Sequence, residues 1–438
     1  MAAAGSVATP PWTMTHDRGA RHPRAMRTWH HRDMIRLRFL LACLLLPALL
    51  LACAAKPAAT DNPPAMHGET MRIATYNVSL FDNDAGGLIA RLKLGSRDAR
   101  RIAAVLQRVR PDIVLLNEFD YDAEGRAANL FQRDYLEQAQ DGGGEPLHYP
   151  YRYLAPVNTG VPSGLDLDGN GQVGGEGRER GNDAWGYGLH PGQYGMLLLS
   201  RYPIDTQTVR SFQRLKWSAM LGAARPRMPD GTAFHDDAVW AQLRLSSKSH
   251  WDVPVDTPLG RLHVLASHPT PPVFDGPEDR NGARNADEIR LWREYLSSGD
   301  TPWLCDDDGR CGGLADSERF VILGDLNNDP ADGDGRHDAI VELLEHPRVL
   351  RYVPPRSEGA AEVGLRYAEQ GISRRGNPAQ ATGDFGPKTG TLRLDYLLPS
   401  VGFIPRGSGV FWPAAGTPEA AIAGASDHHL VWVDIERP

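Results

Sequence analysis

Short apolar runs that stop abruptly at a carboxylate, an amide or an imidazole recur through this chain. They constrain its fold more than any other feature. The run FVIL is followed by Gly324 and Asp325, and then Asn327, Asn328 and Asp329 crowd in before Pro330. Asn77 ends RIATYN, Glu118 ends DIVLLNE and His268 ends LHVLASH, while Asp395 follows GTLRL and Asp427 and His428 precede HLVWVDI. A carboxylate at the end of a buried strand loses its hydration at a cost that only a partner offsets. Singly, such acids cap turns, and a lone histidine is usually a satisfied structural residue. Together the set supplies hard oxygen donors and two imidazoles, the inventory for a divalent cation and for acid–base chemistry.

The surrounding pattern sets the fold class. MRIATYNVSL alternates as a strand does. In SRDARRIAAVLQRVRPD, Ile102, Val105, Leu106 and Val109 recur at helical spacing, with Ser96 as cap and Pro111 as stop. DIVLLNE reads as a second strand, and further strands are expected near 149–155, 194–200, 238–245, 261–267, 319–324, 392–399 and 428–435. A helix around 285–297 places Ile289, Trp292 and Leu296 on one face. Gly/Pro-rich stretches interrupt at 156–192, 269–283, 301–316 and 371–390. Many strands with few helices predict an α+β sandwich, two sheets packed face to face with helices outside. Residues 71–438 carry no linker and read as one domain with insertions.

The series YNVSLF, LLNEFD, ASHP, ILGDLNNDP, RLDYLLP and SDHHLVWV resembles the endonuclease/exonuclease/phosphatase superfamily across residues 71 to 436. GDLN followed far downstream by SDH is its most specific part. The resemblance implies a four-layer α-β-β-α fold with mixed or antiparallel sheets, and an enzyme that cleaves phosphate esters with Mg²⁺, or Mn²⁺ in its place. Residue by residue, it implies Asn77 and Glu118 as principal metal ligands, with Asp427 adding to the metal environment. Asp325 and Asn327 would position water and phosphate, and His428 would act as base. His268 would contact phosphate or protonate the leaving oxygen, and Asp395 would orient His268. Apurinic endonucleases of the superfamily carry tyrosine where His268 stands, so the histidine-bearing branches fit better, among them secreted nucleases and sphingomyelinases. The substrate is then a phosphate ester in DNA or RNA, a sphingomyelin- or phosphoinositide-type lipid headgroup, or a small ester. No protein partner is implied. A binding protein that keeps the fold without catalysis is the alternative from outside the class.

Met34 opens an apolar run behind Arg36 and Arg38 that reads as a secretory signal, so 1–52 are taken as upstream extension and signal peptide. Leu50-Leu51-Ala52-Cys53 resembles a bacterial lipobox, which would lipidate Cys53 and tie an exported protein to a membrane, periplasmic or outer-membrane-anchored. Plain cleavage and secretion, or a retained anchor, are the alternatives. Residues 53–70 are Pro/Ala-rich and read as a tether. Residues 1–52 hold seven Arg against two acidic residues, so the remainder carries −13 where the whole chain carries −8. That charge disfavours tight non-specific binding to a polyanion. Cys305 and Cys311, an even pair in an exported chain, favour a small disulfide loop over zinc. Asp166, Asp168 and Asn170 occupy positions 1, 3 and 5 of a loop resembling half an EF-hand, with Gly177 where the terminal Glu belongs. A Ca²⁺ site and a solvated turn are both open there. The Arg-, Gly- and aromatic-rich stretch 177–195 is a candidate wall of the substrate cleft.

Overall fold

The computed structural model describes residues 70–297 and 301–438. In chain order its strands are β1 (Thr70–Leu80), β2 (Ile113–Phe119), β3 (Tyr151–Tyr153), β4 (Met196–Ser200), β5 (Arg210–Ser211), β6 (His250–Thr257), β7 (Gly260–Ser267), β8 (Arg319–Asp325), β9 (Gly383–Asp384), β10 (Thr391–Leu392), β11 (Asp395–Pro399), β12 (Ile404–Val410) and β13 (Val431–Glu436). One sheet has the order β12-β13-β1-β2-β4-β3, a second β11-β8-β7-β6-β5, and β9 and β10 form a small ribbon. The two large sheets are mixed. Each has one parallel pair, β1 with β2 and β7 with β8, among antiparallel neighbours.

Those parallel pairs decide where the chemistry sits. Parallel neighbours need a long crossover, supplied here by the helices Arg97–Val109 and Arg280–Leu296. Both pairs then present their C-terminal ends at a common edge. Side-chain period two does the rest. Ile73, Ile113, Leu115, Val264, Ala266, Val321, Leu323 and Leu397 fill the core between the sheets. Their neighbours Ala74, Val114 and Leu116 face the helix Arg97–Val109 on one side. Leu265, Ile322 and Leu398 face Ile289, Trp292 and Leu296 of the helix Arg280–Leu296 on the other. Three apolar seams therefore separate four layers, α-β-β-α. Ser96 caps the first helix, its hydroxyl accepting from the Ala99 N–H at 3.2 Å.

Two expectations fail. The strand near 238–245 is instead a short helix, Asp237–Trp240, because Asp236 caps it by accepting from the Val239 N–H at 2.7 Å. The strand β6 was not anticipated, since HWDVPVDT carries Pro254 and alternate polar residues that read as a solvated face. That face is buried. Asp252 accepts from the Tyr295 hydroxyl at 2.5 Å and pairs with His263 at 2.7 Å, and His250 sits between the Ser246 hydroxyl and the Glu288 carbonyl. Cys53 and the whole of 1–69 lie outside the described residues. No helix among the described residues is long and apolar enough to cross a membrane.

Candidate active site

The rows that fill the inter-sheet core end in polar residues on the same face. Ile73 and Thr75 lead to Asn77, Val264 and Ala266 to His268, and Val321 and Leu323 to Asp325. On β11 the order is reversed, and its first residue, Asp395, sits directly opposite Asp325. The sandwich thus ends in a buried polar cluster in place of an apolar plug. Asn77, His268, Asp325 and Asp395 are each at most 2 % exposed, so every one of them needs a partner.

Asp325 is the hub. Its carboxylate accepts from Asn77 Nδ2 at 3.0 Å and from the Asn327 N–H at 2.9 Å. His268 Nε2 lies 3.4 Å away and His428 Nε2 3.6 Å away. Burial alone would raise the Asp325 carboxyl, but His428, His268 and Asn77 outweigh it and hold the group well below the usual carboxylate range. His428 is held from behind, with Nδ1 2.7 Å from Asp395 Oδ2. Thr382 fixes that carboxylate by donating to the same oxygen at 2.7 Å. Burial would lower the His428 imidazole, yet the Asp395 and Asp325 carboxylates raise it well above the ordinary histidine value. His268 goes the other way, lowered by burial and by the nearby Lys248.

Asp395 therefore orients His428, not His268 as expected. The strand order explains the difference. β11 pairs with β8 on the edge away from β7, so β8 stands between Asp395 and His268. His268 Nδ1 has no hydrogen-bond partner among the described residues.

Glu118 owes its position to backbone irregularity. Asn77 pairs with Asn117, but the next pair is Leu80 with Phe119, so two residues of β1 oppose Glu118 alone. Regular alternation would carry Glu118 after Leu116 into the helix layer. Its φ of 57° breaks that alternation, and the carboxylate instead accepts from Asn77 Nδ2 at 3.1 Å. Asn327 has a similar left-handed φ of 52°, and its Nδ2 donates to the Pro269 carbonyl at 3.2 Å. Two strained residues in one cluster are the kind of outlier that marks functional sites. Asp427 is exposed and lines the open cleft over Glu118 and His428. Asn328 and Asp329 are turn residues, bonded to Asn285 and to the Ala331 and Asp332 N–H groups.

The donor set fits a hard divalent cation. Asp325, Asp395, Glu118 and Asp427 bring four carboxylates to this end of the sandwich, and Asn77 and Asn327 bring two amide oxygens beside them. Carboxylate and amide oxygens beside an open cleft are the donors a hard divalent cation takes.

Three contributors escaped the sequence. Asn117 is fully buried, accepts from the Asp325 N–H at 3.2 Å and donates to the Ser267 carbonyl at 3.3 Å, pinning β2 to β7 and β8. Its signal was visible as an amide inside an otherwise apolar strand. Thr382 had no signal, since it comes from a loop brought in by β9. Lys248 had none either. The stretch 177–195 does reach the cleft, where Arg178, Asn182, Tyr187 and Tyr194 line a pocket of about 400 Å³ beside Glu118 and His268.

The profile of the Endonuclease/Exonuclease/phosphatase family matches residues 74–428. The chain belongs to this family. Members of the endonuclease/exonuclease/phosphatase family are generally hydrolytic phosphoesterases. Solved structures similar to this chain include an endonuclease/exonuclease/phosphatase from Beutenbergia cavernae DSM 12333, at 18% identity over 84% of this chain and 72% of that one, with a TM-score of 0.46. A family protein from Leptotrichia buccalis C-1013-b matches at 15% identity over 84% and 99%, with a TM-score of 0.42. Sphingomyelinase C from Streptomyces griseocarneus matches at 15% identity over 83% and 99%, with a TM-score of 0.41. No substrate assignment rests on these. A search of curated proteins finds no match.

Away from this cluster, Asp166 and Asp168 meet Asp183, their carboxylate oxygens all within 4.8 Å. Asn170 lies beside them, its N–H donating to Asp166 and Asp168 at 3.2 Å and its side-chain oxygen accepting from the Gln172 N–H at 2.8 Å. Asp183, six residues beyond Gly177, stands where the loop lacked its last acid. Cys305 and Cys311 are bonded to each other.

Proposed function

We propose that the chain hydrolyses phosphodiesters or phosphomonoesters by in-line attack of water, with Mg²⁺ held by Glu118, the amide oxygen of Asn77 and Asp427. The observation that carries this reading is the hub at Asp325, with both imidazoles within 3.6 Å and a second carboxylate behind one of them. A bound Mg²⁺ would neutralise charge on the non-bridging phosphate oxygens and strengthen the acidity of the attacking water. Asp325 and Asn327 orient that water and the phosphate in a dry site, where the water's entropy is already lost. His428 would take its proton once a cation at Glu118 and Asp427 has offset the Asp395 and Asp325 charge that otherwise favours the protonated ring, and those two carboxylates stabilise the imidazolium that forms. His268, driven towards its neutral form, suits a contact to a phosphate oxygen better than donation of a proton at neutral pH.

The test is hydrolysis of bis(p-nitrophenyl) phosphate and p-nitrophenyl phosphate by purified protein with MgCl₂. Turnover of at least one of the two supports the reading, and turnover of neither removes it. MnCl₂ is the second metal to try. DNA, RNA, sphingomyelin and inositol phosphates then sort the natural substrate. Export and lipidation at Cys53 belong to the same proposal and are read by mass spectrometry of the mature N-terminus.

Calcium at Asp166, Asp168 and Asp183 is a separate part of this reading. Millimolar CaCl₂ is expected to raise the melting temperature, because a ligand that binds only the folded state stabilises it by mass action. The Asp183→Asn protein should lose that rise. Equal shifts in the two proteins would remove the site.

A further inference from the structure

Lys248 is 6 % exposed, and its ammonium has neither an ion pair nor a hydrogen bond to any described residue. Its stem is buried while the ammonium opens on the pocket, and a charge so largely desolvated without a protein partner is costly. Its placement explains why it stands there. β6 runs antiparallel to β7 with His250 opposite Ser267, so Lys248, two residues earlier, comes to the end of the sheet where His268 emerges. A buried carboxylate fastens the two segments together. Glu288 accepts from the Ser247 N–H at 2.6 Å and its hydroxyl at 3.0 Å, and from the Thr270 N–H at 2.6 Å. Both oxygens of Glu288 are thus spent on the backbone flanking Lys248 and His268. The Lys248 ammonium is left to face the pocket that Glu118 and His268 also line. Burial lowers its proton affinity, with Glu288, Glu118 and Asp325 acting against that effect.

The rest of the pocket points the same way. Arg178, Arg280 and Arg284 line it, and Glu118 is its only acidic residue. Arg280 is paired with Glu278, Arg284 is held by the carbonyls of Trp185, Arg244, Leu245 and Ser246, and Arg178 is exposed to solvent, which leaves Lys248 as the pocket cation on a buried stem without a partner among the described residues.

We propose that Lys248 binds an anionic oxygen of the substrate, and that its pocket takes a phosphate ester whose remaining part is apolar or anionic and rejects one whose remaining part is a quaternary ammonium. This rests on the phosphoesterase reading of the Glu118–His428 site and adds a binding residue and a substrate class to it. Tyr187, Tyr194 and Phe274 supply flat apolar walls for such a group.

The experiment compares bis(p-nitrophenyl) phosphate with p-nitrophenyl phosphorylcholine, which share a leaving group and differ in what stays on phosphorus. Wild type with MgCl₂ should prefer the first by at least about tenfold in kcat/KM, and Lys248→Met should lower kcat/KM on it by about 10- to 100-fold, the range for one lost hydrogen bond to a charged group. Inorganic phosphate, titrated calorimetrically, should bind Lys248→Met at least about tenfold more weakly. Lys248→Arg should retain most of both. The Lys248→Met protein should melt at or above the wild-type temperature, since an unpartnered buried charge has been removed; a lysine serving the fold would give the opposite. Preference for the choline ester, or phosphate affinity unchanged in Lys248→Met, overturns the proposal. If wild type hydrolyses neither ester, nor p-nitrophenyl phosphate, the phosphoesterase reading fails, and the phosphate titration still judges Lys248 by itself.

Discussion

Replacing His428 with alanine is expected to lower kcat/KM for bis(p-nitrophenyl) phosphate by about a thousandfold, or about 4 kcal/mol of transition-state stabilisation. The size follows from what surrounds the ring. Nδ1 is committed to Asp395 at 2.7 Å, which fixes the ring plane and leaves Nε2 facing Asp325 and the cleft. Two carboxylates therefore favour the protonated ring, so an imidazole that gains a proton here is stabilised as it forms. The loss should fall on kcat with KM changing less, because the proton moves only in the transition state. Asp395→Asn should lose less, about a hundredfold, since the imidazole remains and only its orientation and charge support are weakened. If Asp395→Asn left the rate untouched while His268→Ala abolished it, the base would be the other histidine.

Glu118→Gln is expected to have a comparable effect for a different reason. Glutamine keeps the volume and the bond to Asn77 but removes the charge that a divalent cation requires. Activity at 1 mM MgCl₂ should fall by about a thousandfold, and the concentration of Mg²⁺ giving half-maximal rate should rise. The fold should tolerate the change, because the left-handed backbone at Glu118 is set by the bulge between β1 and β2, which the substitution leaves alone. An unchanged Mg²⁺ dependence would place the cation elsewhere, the group Asp325, Asp395 and His428 being the next candidate.

Much of this site was legible because strand periodicity carries side-chain direction. Once 73–77, 264–268 and 321–325 are read as strands, alternation places Asn77, His268 and Asp325 on the face of Ile73, Ala266 and Leu323. The pairing of Asp395 was not legible. It depends on strand order within the second sheet, and no local pattern states that β11 lies on the far side of β8 from β7. The residues missed altogether, Thr382 and Lys248, lie in loops where direction has no period. The strand β6 was missed for a related reason, since Asp252 and His250 look solvated until Tyr295, His263 and Glu288 close over them.

The central claim is that this polar end of the sandwich hydrolyses phosphate esters with a divalent cation. The most direct measurement is the rate of bis(p-nitrophenyl) phosphate hydrolysis by one protein sample, first stripped with EDTA and then repleted with MgCl₂. The account predicts a stripped rate at the level of the His428→Ala protein and recovery on repletion. A stripped protein that hydrolyses the ester as fast as the repleted one would contradict it.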